Sequence, residues 1–258
     1  QYDVVVVGGG NAALCAALSA TEAGAKVAVI EKAHEEERGG NSAFTAGTMR
    51  AVYAGLDDVQ RLVPDLSDAE IAETDFGAYS EDQFFDDMYR VTRYRTNPDL
   101  CEVLVRGSNE ALHWLRSQGV RFIPVYGAQS FKVDGKRKFW GGVVVGAVGA
   151  GIGLVDSLYA AAQKKGIDVY YDSQAQKLLR EGHRVVGVQV DVNGKDTEFR
   201  AGAVVLACGG FQANAEWRTR YLGPGWDLAK IRGTRFNTGD GIRMALDVGA
   251  QPYGHWSG

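Results

Sequence analysis

The sequence is poor in cysteine, proline and net charge, and each shortage excludes a class of protein. Cys15, Cys101 and Cys208 are far apart and form no C-x-x-C pair, so neither a disulfide scaffold nor a zinc site is expected. This cysteine usage fits a reducing, cytoplasmic compartment. Five prolines exclude a proline-rich or collagen-like chain. A net charge of −4 argues against nucleic-acid or anionic-membrane partners, since both require a basic surface.

The sequence also lacks an uninterrupted apolar run long enough for a bilayer. One long uncharged stretch, Phe139 to Val155, is rich in glycine and ends directly before Asp156. A membrane span requires about 20 apolar residues, so we predict a buried strand and loop here and no membrane span. No secretory signal peptide is expected, because the sequence begins Gln-Tyr-Asp and enters a predicted strand at once.

Glycine, by contrast, is abundant, at 34 of 258 residues. Glycine serves where the backbone adopts left-handed conformations or approaches a ligand closely, and a phosphate-bearing ligand is one such case. With 45% hydrophobic and 23% charged residues, the chain has ordinary globular composition and can bury a core.

The first stretch of the chain reads as strand, glycine turn, helix and strand. Asp3 to Val7 is an apolar, β-branched run typical of a strand buried on both faces of a parallel sheet. Asn11 to Ala23 is rich in Ala and Leu and predicts a helix. Lys26 to Glu31 predicts the next strand. This order predicts an α/β fold with a right-handed βαβ crossover.

The rest of the chain predicts a helical insertion and a small antiparallel β-meander on the same parallel sheet. Residues 35 to 75 are expected to be irregular. Amphipathic periodicity, turn residues and β-branched runs define the remaining predicted elements. The predicted helices are Glu81–Tyr94, Pro98–Gln118, Val155–Lys165 and one from Gly239 to Gly249; the predicted strands are Val120–Val125, two within 131–140, Asp168–Tyr171, the meander Gln174–Arg180, Val185–Val192 and Thr197–Arg200, and a separate buried strand Ala203–Ala207.

The strongest chemical motif is the glycine turn between the first strand and the first helix. Gly8, Gly9, Gly10, Asn11, Ala12 and Ala13 fit G-x-G-x-x-A. In this fingerprint Gly8 permits the tight turn, Gly10 lets the backbone approach a pyrophosphate, and Ala13 keeps the helix close to the sheet. The helix N-terminus then favours the phosphates, and Glu31 can accept hydrogen bonds from a ribose. The fingerprint predicts binding of an ADP moiety without separating FAD from NAD.

Three later segments bear on that choice. Arg38 to Ser42, followed by Thr45 to Thr48, lies just beyond Glu31 and could continue from the pyrophosphate along a long dinucleotide. LACGGF at 206–211 ends a later strand, and NTGDG follows at 237–241. Asp240 is interpreted either as a helix cap or as an acceptor for a ribityl or ribose hydroxyl.

Together these segments resemble the flavoprotein subunits of the fumarate reductase and succinate dehydrogenase family. Within it the chain looks most like the FAD-dependent tricarballylate dehydrogenases, through GGGNAALCAAL, RGGNS, RGTRFNTGDGIRMAL and GAQPYG. The resemblance implies a Rossmann-like FAD-binding domain over about residues 1–250, with a Rossmann βαβ at 1–32, a helical insertion at about 76–120 and a β-meander at about 168–202. Residues 251–258 would then begin a capping domain.

The resemblance also implies which residues hold FAD. It assigns the ADP half to the glycine turn and Glu31, the pyrophosphate and flavin to Asn41 and its neighbours, the adenine to Ala175, and the flavin contact to Asp240. Members with covalently attached flavin carry histidine at the position of Asn41, so FAD is expected to be non-covalent. The remaining candidate cofactor residues are Lys32, Gly39, Gly40, Ser42, Thr45, Ala46, Gly47, Ala207, Gly209 and Gly210.

The implied activity is hydride transfer between FAD and a small polycarboxylate such as tricarballylate, succinate or fumarate. The family's catalytic arginine is expected beyond Gly258, His255 is a candidate substrate contact, and the electron acceptor is unknown. The alternatives are a catalytically inactive cofactor-binding fragment and a related flavoprotein acting on another substrate such as a ketosteroid. An NAD-dependent dehydrogenase is disfavoured because it leaves RGGNS and NTGDG without a role.

Overall fold

The computed structural model describes residues 1–254 and Trp256, and its strands and helices are labelled in chain order. The strands are β1 (Tyr2–Val7), β2 (Val27–Ile30), β3 (Thr48–Met49), β4 (Thr74–Asp75), β5 (Phe122–Pro124), β6 (Ser130–Val133), β7 (Lys136–Phe139), β8 (Val145–Ala147), β9 (Asp168–Tyr170), β10 (Ser173–Glu181), β11 (Arg184–Val192) and β12 (Lys195–Leu206). The helices are α1 (Asn11–Glu22), α2 (Leu56–Leu62), α3 (Asp68–Glu73), α4 (Glu81–Val91), α5 (Pro98–Ser117), α6 (Tyr126–Gln129), α7 (Ala150–Lys164), α8 (Ala215–Leu222) and α9 (Asp240–Asp247), with 3₁₀ turns at Glu35–Glu37, Gly40–Phe44 and Trp226–Leu228.

The chain divides into two compact units, Gln1–Phe44 with Val155–Gly258, and Thr45–Leu154. The first unit contains one sheet in the order β10-β11-β12-β1-β2-β9. Its parallel part is β12-β1-β2-β9, and β10, β11 and the start of β12 are antiparallel. The predicted α/β class, with a parallel sheet and an antiparallel meander, is confirmed.

The core of the first unit lies on the central strands of this sheet. Val5, Val6 and Val7 are all buried, as expected for a strand covered on both faces. Helix α1 packs on β1 and β2 and buries Leu14 and Leu18 completely. The other face of the sheet, opposite α1, carries a cluster of buried residues: Val5, Val7, Ala28, Ile30, Ala175, Leu178, Val188, Val190, Phe199, Ala201 and Met244.

The meander differs from the prediction in one respect. Thr197–Arg200 and Ala203–Ala207 are not separate strands but parts of the single strand β12. Its first half pairs antiparallel with β11, and its second half pairs parallel with β1. Gly202, which falls between the two predicted strands, continues the single strand, and a Cβ there would lie 3.2 Å from the carbonyl oxygen of Asp3. The meander therefore extends the parallel sheet.

The second unit holds the predicted helical insertion and two small sheets, in the orders β3-β8-β5 and β4-β7-β6. Helices α4 and α5 pack together. Asn97 caps α5 and Ser80 forms a capping box with Gln83 at α4, which explains their sharp starts. The predicted end of α4 at Tyr94 is wrong, because the helix stops at Val91 and Tyr94 has a left-handed φ of 61°.

Two other expectations for the second unit are also wrong. The stretch expected to be irregular contains α2 and α3, the latter begun by a capping box at Ser67. Helix α7 begins at Ala150, five residues before the predicted Val155. Glycines disfavour a helix, but a Cβ at Gly153 would lie 1.9 Å from the carbonyl oxygen of Val148. Only glycine permits this helix entry.

No helix among the described residues has both the length and the apolar character needed to cross a membrane.

Candidate functional site

The parallel strands of the first unit end at one common edge of the sheet. Val7 is the register partner of both Ile30 and Leu206. Gly8 donates from its N–H to the Ile30 carbonyl at 2.8 Å, which extends this alignment one residue past the strand ends. Glu31 follows β2 directly at the same edge. Ligands of open α/β sheets bind beyond the carboxyl ends of parallel strands, so this edge is where a ligand is expected.

A cavity opens at this edge and brings together most of the candidate cofactor residues. It is bounded by the glycine turn, the end of β2, the loop after Gly39, the start of β10, the end of β12 and the start of α9. Its lining residues are Val7, Gly8, Gly9, Gly10, Asn11, Ala12, Ile30, Glu31, Lys32, Gly40, Asn41, Ser42, Ser173, Ala175, Ala207, Cys208, Gly209, Phe236, Asn237 and Asp240.

The glycine turn fits a phosphate group. Gly8 has a φ of 113°, and a Cβ there would lie 2.3 Å from the Ala207 carbonyl oxygen, so a side chain is excluded. A Cβ on Gly10 would project beside Ser42 at 3.4 Å from its Oγ, within the cavity lining. Gly10 is the N-cap of α1 and supplies no side-chain cap, while the N–H of Asn11 donates to Ser42 Oγ at 3.0 Å. Backbone N–H groups at a helix N-terminus favour an anion.

Glu31 is the buried carboxylate of the cavity, with 6% of its surface exposed. The N–H of Ala33 donates to its Oε1 at 2.7 Å. Burial raises the pKa of the Glu31 carboxyl above its usual range, while backbone N–H groups of Ala33, Lys32 and Gly9 and the Lys32 charge act in the lowering direction. The carboxylate is thus held by backbone donors at the position predicted for ribose recognition.

Lys32, also in the lining, bridges to the start of α9. Its Nζ donates to Asp240 Oδ2 and to Thr238 Oγ1, each at 2.9 Å. The N-cap of α9 is Gly239, with a left-handed φ of 88°, and Asp240 is the first residue of the helix. The interpretation of Asp240 as a helix cap is therefore wrong. Its carboxylate belongs to a part-buried polar cluster that lines the cavity.

Asn41 turns its side chain toward a neighbouring loop. Its Oδ1 accepts a hydrogen bond from the N–H of Thr234 at 3.0 Å. A Cβ on Gly233 would lie 2.4 Å from that same oxygen, so glycine permits the close approach. Thr234 is buried, and its Oγ1 accepts from the N–H of Phe236, which lines the cavity. Asn41 thereby connects the Gly39–Phe44 loop to residues 233–236.

Cys208 also lines the cavity, but its thiol is not activated. Burial raises its pKa to about 12, with Asp240 and Glu31 acting in the same direction. The Sγ donates to the Val7 carbonyl oxygen at 3.4 Å. A thiol with so high a pKa is protonated near neutral pH, and only the thiolate is a good nucleophile.

Six of the described candidates do not line this cavity. Ala13 is fully buried, as expected of a residue that sets helix-to-sheet packing. Gly39 packs against Val155, and the Gly210 carbonyl accepts from Gly239 N. Thr45, Ala46 and Gly47 fall in the second unit, and His255 lies outside the described residues.

Sequence reasoning missed three polar or aromatic lining residues: Ser173, Phe236 and Asn237. Ser173 lies two residues before Ala175 on β10, so strand alternation could have placed both on one face. Asn237 belongs to the recognised NTGDG segment, and Phe236 immediately precedes it.

Comparison with known proteins gives consistent matches over nearly the whole chain. The family model described as "FAD binding domain" matches residues 3–255. The chain is 28% identical to the NADH:fumarate oxidoreductase of Klebsiella pneumoniae (strain 342), covering 97% of this chain and 25% of that protein. It is 31% identical to the probable fumarate reductase Ifc3 of Shewanella frigidimarina (strain NCIMB 400), covering 96% and 38%.

Among solved structures, the open conformation of a flavocytochrome c3 fumarate reductase is similar, with a TM-score of 0.75 and 29% identity. That match covers 97% of this chain and 41% of the other. The chain therefore spans between a quarter and about two fifths of the length of these relatives.

Proposed function

Because the chain belongs to the FAD binding domain family, whose cofactor is FAD, we propose that the cavity at the sheet edge holds FAD non-covalently for an oxidoreductase acting on a small polycarboxylate. The observation that carries the proposal is the assembly of the glycine turn, Glu31, Ala175 and Asp240 around one cavity. These residues are far apart in sequence, and the resemblance assigns them to different parts of the same dinucleotide.

The glycine turn and Ser42 would hold the pyrophosphate. Gly8 and Gly10 leave the backbone bare, and α1 offers its N-terminal dipole to negative charge. Ser42 Oγ already accepts from the N–H of Asn11, and its hydroxyl lies within the cavity lining. Both groups are thus close enough together to bind the same phosphate oxygens.

Glu31 and Ala175 would hold the adenosine. The ionised Glu31 carboxylate is an acceptor, and ribose hydroxyls are donors that can reach a carboxylate at the end of the second strand. Ala175 and Ser173 line the cavity from β10, where a small side chain leaves room for a flat base. Their common position supports the adenine contact assigned to Ala175.

Lys32 and Asp240 would meet the flavin end. The Lys32 ammonium neutralises the Asp240 carboxylate, so the pair presents oriented donors and acceptors with little net charge. Such a pair can bind ribityl hydroxyls and the polar edge of a flavin ring while remaining hydrogen-bonded.

Asn41 supports the non-covalent assignment. An asparagine amide is not a nucleophile that forms a bond to a flavin, and its Oδ1 is committed to the N–H of Thr234. The residue instead orders the loop that carries Phe236 into the lining.

FAD supplies the hydride-accepting and hydride-donating chemistry when it is bound; the chain's own residues bind it, orient it and exclude water. The polycarboxylate class rests on the resemblance and on relatives named as fumarate reductases. Two arginines that could bind carboxylates are already paired, Arg50 with Asp87 at 3.0 Å and Arg235 with Glu37 at 2.5 Å. Neither arginine is therefore assigned as the catalytic acid.

The test is a flavin spectrum followed under anaerobic conditions. FAD-loaded chain reduced by dithionite is mixed with fumarate or with a 1-ene-3-ketosteroid, and oxidised chain is mixed with succinate or tricarballylate. The proposal predicts that, in a form of the protein that also carries the catalytic acid, carboxylates change the flavin absorbance and the steroid does not. A response to the steroid alone would favour the ketosteroid alternative. Bound flavin that responds to none of them would favour a cofactor-binding fragment without its own activity.

A further inference from the structure

A buried tyrosine lies beneath the glycine turn, and neither the fingerprint nor the resemblance assigns it a role. Tyr159 is on α7, with 5% of its surface exposed. Its hydroxyl donates to the carbonyl oxygen of Gly9 at 3.0 Å. Burial raises its pKa far above its usual range, with the Glu31 charge next in importance, so the hydroxyl remains a donor at any physiological pH.

Gly9 is held at both of its polar groups. Its carbonyl accepts from Tyr159, and its N–H is a hydrogen-bond donor to the Glu31 carboxylate. A Cβ on Gly9 would lie 2.2 Å from the Tyr159 hydroxyl and 2.3 Å from Glu31 Oε2. Glycine is therefore required at the centre of the turn, because Tyr159 and Glu31 both hydrogen-bond to its backbone and leave no room for a Cβ.

These hydrogen bonds fix the direction in which the N–H of Gly10 points. In a planar trans peptide the carbonyl and the following N–H point in opposite directions. Because the Gly9 carbonyl points at Tyr159, the Gly10 N–H is directed away from α7. Gly9 and Gly10 both line the cavity, whereas Tyr159 does not. Tyr159, which lies outside the cavity lining, thus orients the N–H that the fingerprint offers to a pyrophosphate.

The tyrosine ring is itself held. The Arg38 guanidinium lies over its face at 4.4 Å from the ring centroid and donates to the Tyr171 hydroxyl at 3.2 Å and to Asp156 Oδ1 at 3.2 Å. A stacked guanidinium restricts the ring's position, which keeps the hydroxyl aligned with the turn.

We propose that Tyr159 is a positioning residue of the cofactor site, whose hydroxyl orients the Gly9–Gly10 peptide so that the Gly10 N–H binds a pyrophosphate. The inference rests on the proposed assignment of the cavity. It concerns the diphosphate part of the ligand and not the adenine, the ribose or the flavin.

The test compares ligands with and without the diphosphate on Tyr159→Phe, which keeps the ring and the Arg38 stack. Affinities for ADP and for adenosine are measured by calorimetry on the chain freed of flavin. We expect ADP to bind about fivefold to tenfold more weakly while adenosine binding changes less than about twofold.

Tyr53→Phe is the matched control. Tyr53 is also buried, and its hydroxyl also donates to a backbone carbonyl, that of Phe76 at 2.6 Å. Both variants lose one buried hydrogen bond and should lose similar free energy of unfolding in urea, but only Tyr159→Phe should change the ratio of ADP to adenosine affinity. An unchanged ratio in Tyr159→Phe, or an equal change in Tyr53→Phe, overturns the inference.

A second measurement uses the unsubstituted chain, so it does not depend on the folding of a variant. The amide resonance of Gly10 should shift when ADP is added and remain in place when adenosine is added; no shift with ADP overturns the inference. If the unsubstituted chain binds neither ADP nor FAD, the proposed cavity assignment itself is wrong. Normal ADP binding by Tyr159→Phe leaves that assignment intact and removes only the role of Tyr159.

Discussion

Glu31 combines two opposing electrostatic effects in one side chain. Burial disfavours its ionised form, and backbone N–H donors stabilise that form. The net effect is a raised pKa, so the folded chain binds a proton more tightly than the unfolded chain does. Its contribution to the free energy of unfolding therefore declines as pH rises above the ordinary glutamate value of 4.5 toward the folded-state pKa.

Replacing Glu31 by glutamine should remove this pH dependence. In the absence of FAD, the free energy of unfolding of the unsubstituted chain should fall relative to Glu31→Gln as pH rises from 4.5. Urea unfolding across that range measures the difference. Glu36→Gln is the control, since Glu36 is exposed in the Glu35–Glu37 turn. If the free energy of unfolding of the unsubstituted chain instead rises relative to Glu31→Gln with increasing pH, the raised pKa of Glu31 is contradicted.

The Lys32–Asp240 pair gives a second prediction at this scale. Lys32→Met removes the cation from a part-buried carboxylate that lines the cavity. We expect FAD to bind roughly tenfold more weakly, because a charged hydrogen bond no longer orients Asp240. Lys165→Met removes a similar pair with Glu22, also at 2.9 Å but outside the cavity, and should leave FAD affinity unchanged in a fluorescence titration. Equal losses of FAD affinity in Lys32→Met and Lys165→Met would show that the Lys32–Asp240 pair does not act locally at the cavity.

At the scale of elements, sequence patterns predicted the helices and strands that depend on adjacent residues. They missed the element boundaries that depend on contacts between residues distant in sequence. Strand β1 and helix α1 were predictable because an unbroken apolar run, a glycine turn and an alanine-rich segment lie in sequence. The continuity of β12 was not, because it depends on pairing with β1, which lies far away in the sequence. The early start of α7 depends on the contact between Gly153 and Val148, which no propensity describes.

Gly187 provides a prediction for the joint between β11 and β12. Its φ is 154°, and a Cβ would lie 2.3 Å from the Phe199 carbonyl oxygen. Gly187→Ala should therefore lower the free energy of unfolding by about 2 kcal/mol or more. Gly107→Ala is the control, because Gly107 lies inside α5 with no atom within 4 Å of its added Cβ, and it should raise stability by about 0.5–1 kcal/mol. A tolerated alanine at 187 would contradict the described strand pairing.

At the scale of the whole molecule, the candidate site draws its lining from six stretches of one unit, although most of its members were recognised singly from sequence. The glycine turn and Glu31 follow from a local fingerprint. Asp240 could be singled out at a predicted helix start, but Ala175 needed the family resemblance, because nothing local ties it to residues more than a hundred positions away. Phe236 was missed, since only the folded chain brings the 233–237 loop to this edge, whereas strand alternation could have placed Ser173 beside Ala175.

Because six separate stretches of the chain line the cavity, we expect a bound cofactor to stabilise the fold. A ligand that binds only the folded state raises the free energy of unfolding by about 2.7 kcal/mol at a hundredfold excess over its Kd. Urea unfolding with and without FAD should show that increase, whereas riboflavin, which lacks the ADP half, should give much less. Equal stabilisation by both ligands would contradict recognition through the glycine turn.

The central claim is that the edge cavity binds FAD without a covalent bond, and one titration tests it most directly. The purified chain is titrated with FAD, its visible spectrum is recorded after removal of free ligand, and the protein is then precipitated with acid. We expect a bound flavin spectrum and release of all the flavin into the supernatant. Flavin that stays with the precipitate would contradict the role given to Asn41, and a chain that retains no flavin would contradict the site itself.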